Sequence, residues 1–428
     1  MRNYFPLFVI LILCITIVAE GTLINNPYSR GTSSNIDDRM VLAFYYVWYK
    51  NDGIRRYWPL RTAYHPLLGG YNSSDPEVIT QHIRWAKEIG LDGFIVSWWG
   101  INSFTDNNLK KVIEIANRED LTITVYYETT KTQGKPDEEA KNEIIEDITY
   151  IIDTYSNEPC FLWFKNKPVI FIYALWTHAR EFWEEVLGEL REQVDVFLVG
   201  DGKPNEYPSF DGYHFYNPKD IPLDELLEDY NRFKEFYPDK LLAGTVIPGF
   251  DNRKSKRIKG EQGSYTPRHG GRTYDEFWEI ALEGEVNWVL ITTWNEWWEG
   301  TAIEPSREYK EQYLEATKRW LKGFKEDKIV AYIWRPVEGY LYLFDREIKE
   351  IPGCTLIIGG ITVKVEGVNI ETKVDKVEFY IDDTLEYTDT EPPYQWKWDK
   401  VTIGLHELKI IAYGKNLDED KKDVLMIN

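Results

Sequence analysis

Cysteine and methionine are scarce: three of each in 428 residues. Cys14 lies in an apolar N-terminal run, while Cys160 and Cys354 stand far apart. That spacing excludes a disulfide framework and a CxxC metal site. Cys160 and Cys354 are expected as small buried hydrophobes. Cationic side chains are also in deficit, 50 Lys and Arg against 71 Asp and Glu, for a net charge of −21. A field of that sign repels a nucleic-acid duplex or an anionic membrane surface, so neither is expected as a partner. Serine nucleophile elbows, HExxH and P-loops are missing, and the six histidines show no metal-ligand spacing. Glutamine is rare too, which beside abundant Glu and Lys fits the bias of heat-adapted chains.

What is abundant is aromatic surface: 17 Trp, 29 Tyr and 19 Phe. With 43% hydrophobic residues the chain can fill a large core, which excludes wholesale disorder. Trp and Tyr in such excess suit a surface that stacks flat, partly apolar ligands.

Residues 1–21 place Arg2 before an apolar stretch from Leu7 to Ala19. That length fits a signal peptide and falls short of a spanning helix. Secretion or a cell-surface location follows, with retention as an uncleaved N-terminal anchor as the alternative. Residues 22–37 are polar and turn-rich, like a linker.

From residue 38 to 326, eight apolar strand-like runs alternate with amphipathic helical ones. Near-continuous apolar strands fit a parallel sheet covered on its faces. Eight repeats fit a (β/α)8 TIM barrel, and no GxGxxG turn follows the first strand to favour a doubly wound sheet. From 329 to 428 the texture changes to short alternating strands, as expected of an all-β, immunoglobulin-like sandwich with an accessory role.

Active sites of such barrels lie at the C-terminal strand ends. Those ends offer Tyr45, Tyr46 and Trp48, then Trp98, Trp99, Glu128, Asp201, His214 and Tyr216. If the second strand is extended at its end, Trp98 and Trp99 face opposite ways and at most one lines the site. The last strand gives Asn295, Glu296, Trp298, Glu299 and Glu304. Rings interleaved with carboxylates and amides are what a sugar site requires. Glu296 and Glu299, three apart in a turn, can both reach one bond, as glycoside cleavage needs. The alternative is a pair of acids opening a helix, but Gly300 and Pro305 intervene. Arg268 and Arg272 either hold substrate or pair with the many acids.

Several segments resemble glycoside hydrolase family 99, the endo-α-mannosidase and endo-α-mannanase family. FYYVWY (44–49) is similar to its first-strand motif, and HPLLGGYNSSDPEVITQHIRWAKEIGLDGFIVSWWG (65–100) follows its turn, helix and second strand. YYETT (126–130) resembles its third-strand glutamate segment, and residues 246–278 its seventh-strand loop. ITTWNEWWEGTAIEP (291–305) resembles its NEWHEG…IEP signature, with Trp298 in place of the histidine. YALWTHA (173–179) replaces a YDSYH-like run. The resemblance implies a retaining endo-glycosidase cutting α-1,2-mannosidic bonds, without a metal or organic cofactor. It implies Glu296 as the base towards the sugar 2-hydroxyl and Glu299 as the acid/base, through a 1,2-anhydro sugar. The partner is then an oligo- or polysaccharide. The rival readings are a non-catalytic glycan-binding surface protein, a polysaccharide-processing transferase of a related barrel group, and a metal enzyme using Glu296, Glu299 and Glu304.

Overall fold

The computed structural model describes residues 39–51, 58–326, 328–351, 353–368 and 373–428. The expected signal peptide, linker and Cys14 fall outside the described residues.

Eight strands run parallel: β1 (Met40–Tyr45), β2 (Gly93–Trp98), β3 (Thr122–Tyr127), β4 (Lys167–Ile172), β5 (Phe197–Asp201), β6 (Gly212–His214), β7 (Leu241–Val246) and β8 (Trp288–Ile291). Each pairs with its successor, and β8 pairs with β1, so the sheet closes into a barrel without a free edge. Between the strands run α1 (Pro76–Ile89), α2 (Phe104–Glu119), α3 (Asp137–Tyr155), α4 (Arg180–Gln193), α5 (Leu223–Phe236), the short α6 (Arg253–Ile258) and α7 (Arg272–Glu283). After β8 comes α8 (Gln312–Glu326).

Helix α1 illustrates how the sequence sets these elements. Asp75 caps its start by accepting from the Glu77 N–H, and Pro76 occupies the first turn. Gly90 closes it in a left-handed conformation that a side chain would strain. Ile79, Ile83 and Ala86 form the stripe that packs on the barrel.

Alternation along each strand decides what can serve a site. Odd positions of β1 (Val41, Ala43, Tyr45) pack outward beneath the helices, while Leu42, Phe44 and Tyr46 point into the barrel. In β2, Phe94, Val96 and Trp98 join the outer layer and Ile95 the inner one.

Beyond the barrel, a sandwich follows. A three-stranded sheet holds β9 (Val330–Arg335), β13 (Ile361–Val368) and β16 (Gln395–Trp398). A seven-stranded sheet runs in the order β11 (Arg346–Glu350), β10 (Tyr340–Leu343), β12 (Leu356–Ile358), β18 (Leu417–Ile427), β17 (Ile403–Gly414), β14 (Val374–Ile381), β15 (Thr384–Asp389). Tyr342, Val363, Phe379, Trp398 and Val424 fill the space between. Sandwich and barrel are tied by polar bonds: Arg319 on α8 reaches Asp275 at 3.0 Å and Asp420 at 3.1 Å, and the Tyr332 hydroxyl donates to Glu279 at 2.9 Å. Cys160 is buried as expected, but Cys354, in the loop before β12, is exposed.

Candidate active site

The chain leaving β8 folds back on itself: Thr293 N–H donates to the Thr301 carbonyl, and Ile303 N–H to that of Thr293, both at 3.0 Å. Asn295 mimics a backbone partner for Tyr46, accepting its N–H at 2.7 Å and donating to its carbonyl at 2.9 Å. The Thr293 hydroxyl accepts the Glu296 N–H at 2.7 Å. Four carbonyls of this loop, which carries Glu296 and Glu299, are gripped by the segment after β7. Ser255 Oγ donates to Trp298 (2.8 Å), Asp251 N–H to Glu299 (2.7 Å), and Arg268 Nη2 to Gly300 and Ala302 (2.8 Å each). Arg268 is fully buried, its guanidinium 4.5 to 4.8 Å from the rings of Tyr64, Tyr309 and Tyr313. It is therefore a positioning residue, whereas Arg272 pairs with Glu347 of the sandwich. Replacing it strands two buried carbonyls, and charged hydrogen bonds contribute about 1.5–3 kcal/mol each. Arg268→Met is expected to lower the melting temperature by several degrees and reduce kcat more than it raises KM, as steady-state kinetics and a thermal melt will read.

Glu296 is buried and Glu299 half-buried, and Oε2 of each is shielded from water without a hydrogen-bond partner. Glu296 Oε1 accepts the Trp298 N–H at 2.9 Å. Burial, then the charge of Glu299, pushes the Glu296 carboxyl well above its ordinary range. Burial also pushes Glu299 up to about 7, against the Tyr216 hydroxyl and the more distant cations Lys256 and Lys219. Both carboxyls are thus held above the ordinary carboxylate range. Beside them, Glu128 accepts from Ser97 Oγ at 2.5 Å, and burial raises it to about 8. Asp201 is raised by burial to about 6 while accepting backbone N–H groups of Tyr216 (3.0 Å) and Ala174 (3.2 Å). It thereby fixes Tyr216, whose hydroxyl accepts from Tyr46 at 2.7 Å.

Rings line the same space. Trp48 stacks on Trp298 at 5.6 Å and 19°, and Trp99 lies 6.1 Å from Trp48. Both Trp48 and Trp298 keep buried indole N–H groups with no partner. Trp99, 38% exposed, donates to the Ser97 hydroxyl at 3.1 Å.

The structure brings together Glu296, Glu299, Glu128, Tyr46, Trp48, Trp298 and Tyr216, with Trp99 reaching Glu128 through Ser97 and Asn295 bracing Tyr46. Four expected site residues lie elsewhere. Tyr45 faces outward, stacked on Phe94 with its hydroxyl 3.0 Å from His82 Nδ1, because it has the outer parity of β1. Trp98 likewise faces α2, donating to Asp106 at 3.0 Å. His214 does point inward but is packed among Phe44, Tyr126 and Phe171, and burial lowers it to about 3, keeping it neutral. Glu304 is a buried anchor, accepting from Tyr71 (2.8 Å) and the Trp297 indole (3.1 Å) and lying 3.2 Å from His82. Ser97 and Tyr71 were not anticipated. The inward parity of Ser97, opposite Trp98, was the available signal for the first. Among the described residues, no His, Cys, Asp and Glu side chains group to hold a metal ion.

A pair of carboxyls raised by burial in a ring-lined barrel mouth has the makings of a glycoside hydrolase site. Comparison with known proteins agrees: residues 58–196 match the model of glycosyl hydrolase family 99, and residues 355–410 match a bacterial Ig domain. The barrel is that of a glycoside hydrolase. Over its matched residues it is similar to family 99, and it is followed by an Ig-like domain. A further match, to the model named glycosyltransferase WbsX, covers residues 214–317. The human glycoprotein endo-alpha-1,2-mannosidase-like protein is 26% identical over 63% of this chain, which spans 66% of that relative. Mouse glycoprotein endo-alpha-1,2-mannosidase is 24% identical over 67% of this chain and 75% of its own. The solved endo-alpha-mannosidase of this family from Bacteroides thetaiotaomicron superposes with a TM-score of 0.59 at 24% identity, over 69% of this chain and 99% of that one.

Proposed function

We propose that the protein is a secreted or surface-held, retaining endo-glycosidase that cleaves α-mannosidic bonds, with α-1,2 the linkage. The observation that carries the reading is the pair of free, buried oxygens, Glu296 Oε2 and Glu299 Oε2, one backbone turn apart among sugar-stacking rings. Glu296 Oε2 takes the proton of the sugar 2-hydroxyl as that oxygen closes onto C1. The C1–O bond to the leaving sugar breaks, and Glu299 gives that oxygen its proton. Glu299 then removes a proton from water, whose oxygen opens the 1,2-anhydro ring at C1, while Glu296 returns its proton to O2. Two inversions leave net retention. Burial raises both carboxyls, so each takes a proton more readily than a free glutamate. A 2-hydroxyl donating to Glu296 Oε2 favours its anion, while burial favours the protonated Glu299 that the reaction requires.

Incubation with a panel of α-linked manno- and gluco-oligosaccharides tests this. The expected product is an internally cut α-manno chain released with the α anomer. A β-anomeric product, or cleavage of gluco chains alone, excludes the reading. The WbsX match spans both glutamates and favours one alternative, a polysaccharide-processing transferase. Transfer to a sugar acceptor in preference to water would support it.

A further inference from the structure

We propose that the cleft between the barrel mouth and the sandwich binds a remote stretch of the same neutral glycan chain that is cut at Glu296 and Glu299. The inference rests on the reading of the barrel as a glycan-cleaving enzyme. The cleft measures about 1420 Å³. Its barrel walls come from the segments after β1 (Tyr64), β7 (Arg253, Lys254, Tyr265) and β8 (Tyr309), and loops of the sandwich close its far side. Segments that follow the strands lie at the end of a barrel that carries the chemistry, so cleft and glutamates share one face. Small-ligand pockets occupy about 300–1,000 Å³, and a larger open cleft suits a polymer.

The lining chemistry selects the polymer. Side chains of both signs face the cleft and mix on its walls: Asp251 lies with Arg253 and Lys254, and Lys310 with Glu308 and Glu311. A strongly charged chain of either sign meets like charges on every wall, whereas a neutral polyhydroxyl chain finds donors and acceptors throughout. Tyr265 supplies a stacking platform. Its ring is 42% exposed and backed by the Arg253 guanidinium 3.8 Å from the centroid. That guanidinium is fixed in turn by two bonds to Asp251, of 2.9 and 2.8 Å. A ring held this way is already oriented when the sugar arrives, which limits the ordering cost of binding. Asp251 also grips the Glu299 carbonyl at 2.7 Å, so the platform and the catalytic loop hang on one residue. A chain crossing Tyr265 is thus led to the catalytic loop.

The experiment compares wild type, Tyr265→Ala and Tyr265→Phe on α-manno chains of increasing length, with calorimetric titration of intact α-mannan alongside. Wild-type kcat/KM is expected to rise about tenfold from the shortest cleaved chain to the polymer, the scale of one ring-stacking contact. Tyr265→Ala should lose most of that gain through KM, and Tyr265→Phe should keep it. Equal length dependence in wild type and Tyr265→Ala overturns the inference, as does tighter binding of a sulfated polysaccharide than of mannan. If no α-manno chain is cut, the cleavage reading fails, and calorimetry still decides the cleft. Mannan binding that weakens in Tyr265→Ala upholds it, and binding that is absent or unchanged overturns it.

Discussion

Glu299→Gln is expected to reduce hydrolysis of natural α-linked glycans by roughly 10²–10⁴-fold, the range that a general acid supplies. At 10³ this equals about 4 kcal/mol of transition-state stabilisation. The substitution keeps shape and removes the exchangeable proton. It also removes a charge that raises Glu296, so the base remains competent. Oligosaccharide binding should persist, because the Trp48 and Trp298 rings are untouched. A substrate with an aryl leaving group needs little protonation, so its first step should be slowed far less than that of a natural glycan. Release of reducing ends from mannan, set beside calorimetric binding, reads both effects. Undiminished turnover excludes Glu299 as the acid.

Glu128→Gln should change how stability depends on pH. Burial lifts this carboxyl from 4.5 to about 8 in the folded protein. A raised acid favours the fold below its unfolded value, and that contribution is lost as pH climbs through the folded one. The loss runs from about pH 4.5 to about pH 8 and amounts to of order 5 kcal/mol at most. Asp201 and Glu299, raised to about 6 and 7, act in the same sense. Wild-type melting temperature should therefore fall between pH 5 and pH 8.5 on account of these groups, since ~1 kcal/mol shifts a melt by several degrees in a small domain and less in a larger one. Gln still accepts the Ser97 hydroxyl but carries no charge, so the variant should show a shallower slope and melt higher than wild type at pH 8.5. Melts of both proteins across that range decide it. Identical slopes would show that Glu128 does not titrate there.

Much of this was legible in the residues. The eight apolar runs, the strand ends and the NEWWEG segment identify barrel and site because local pattern carries them. Tyr45 and Trp98 were misplaced for want of strict alternation: their neighbours Tyr46 and Ser97 own the inward parity. Glu304 could not be read, since its partners Tyr71 and His82 are more than 200 residues away in the chain. The alternation that separates in from out is masked in β18, LDEDKKDVLMI, because charged residues hold its half-buried positions (Asp418, Asp420, Lys422) as well as its exposed ones. Its pairing along the whole of β17 makes it a strand.

The grip of the β7 segment on four catalytic-loop carbonyls has a wider consequence. Gly270, two residues past Arg268, lies so near the sandwich that a methyl group there would sit 2.2 Å from the Glu338 carbonyl oxygen. The appended module leans on the very strap that steadies the loop carrying Glu299. Exchanging it for an unrelated module is a change to the catalyst itself, and recombination at this junction is constrained by turnover as well as by targeting.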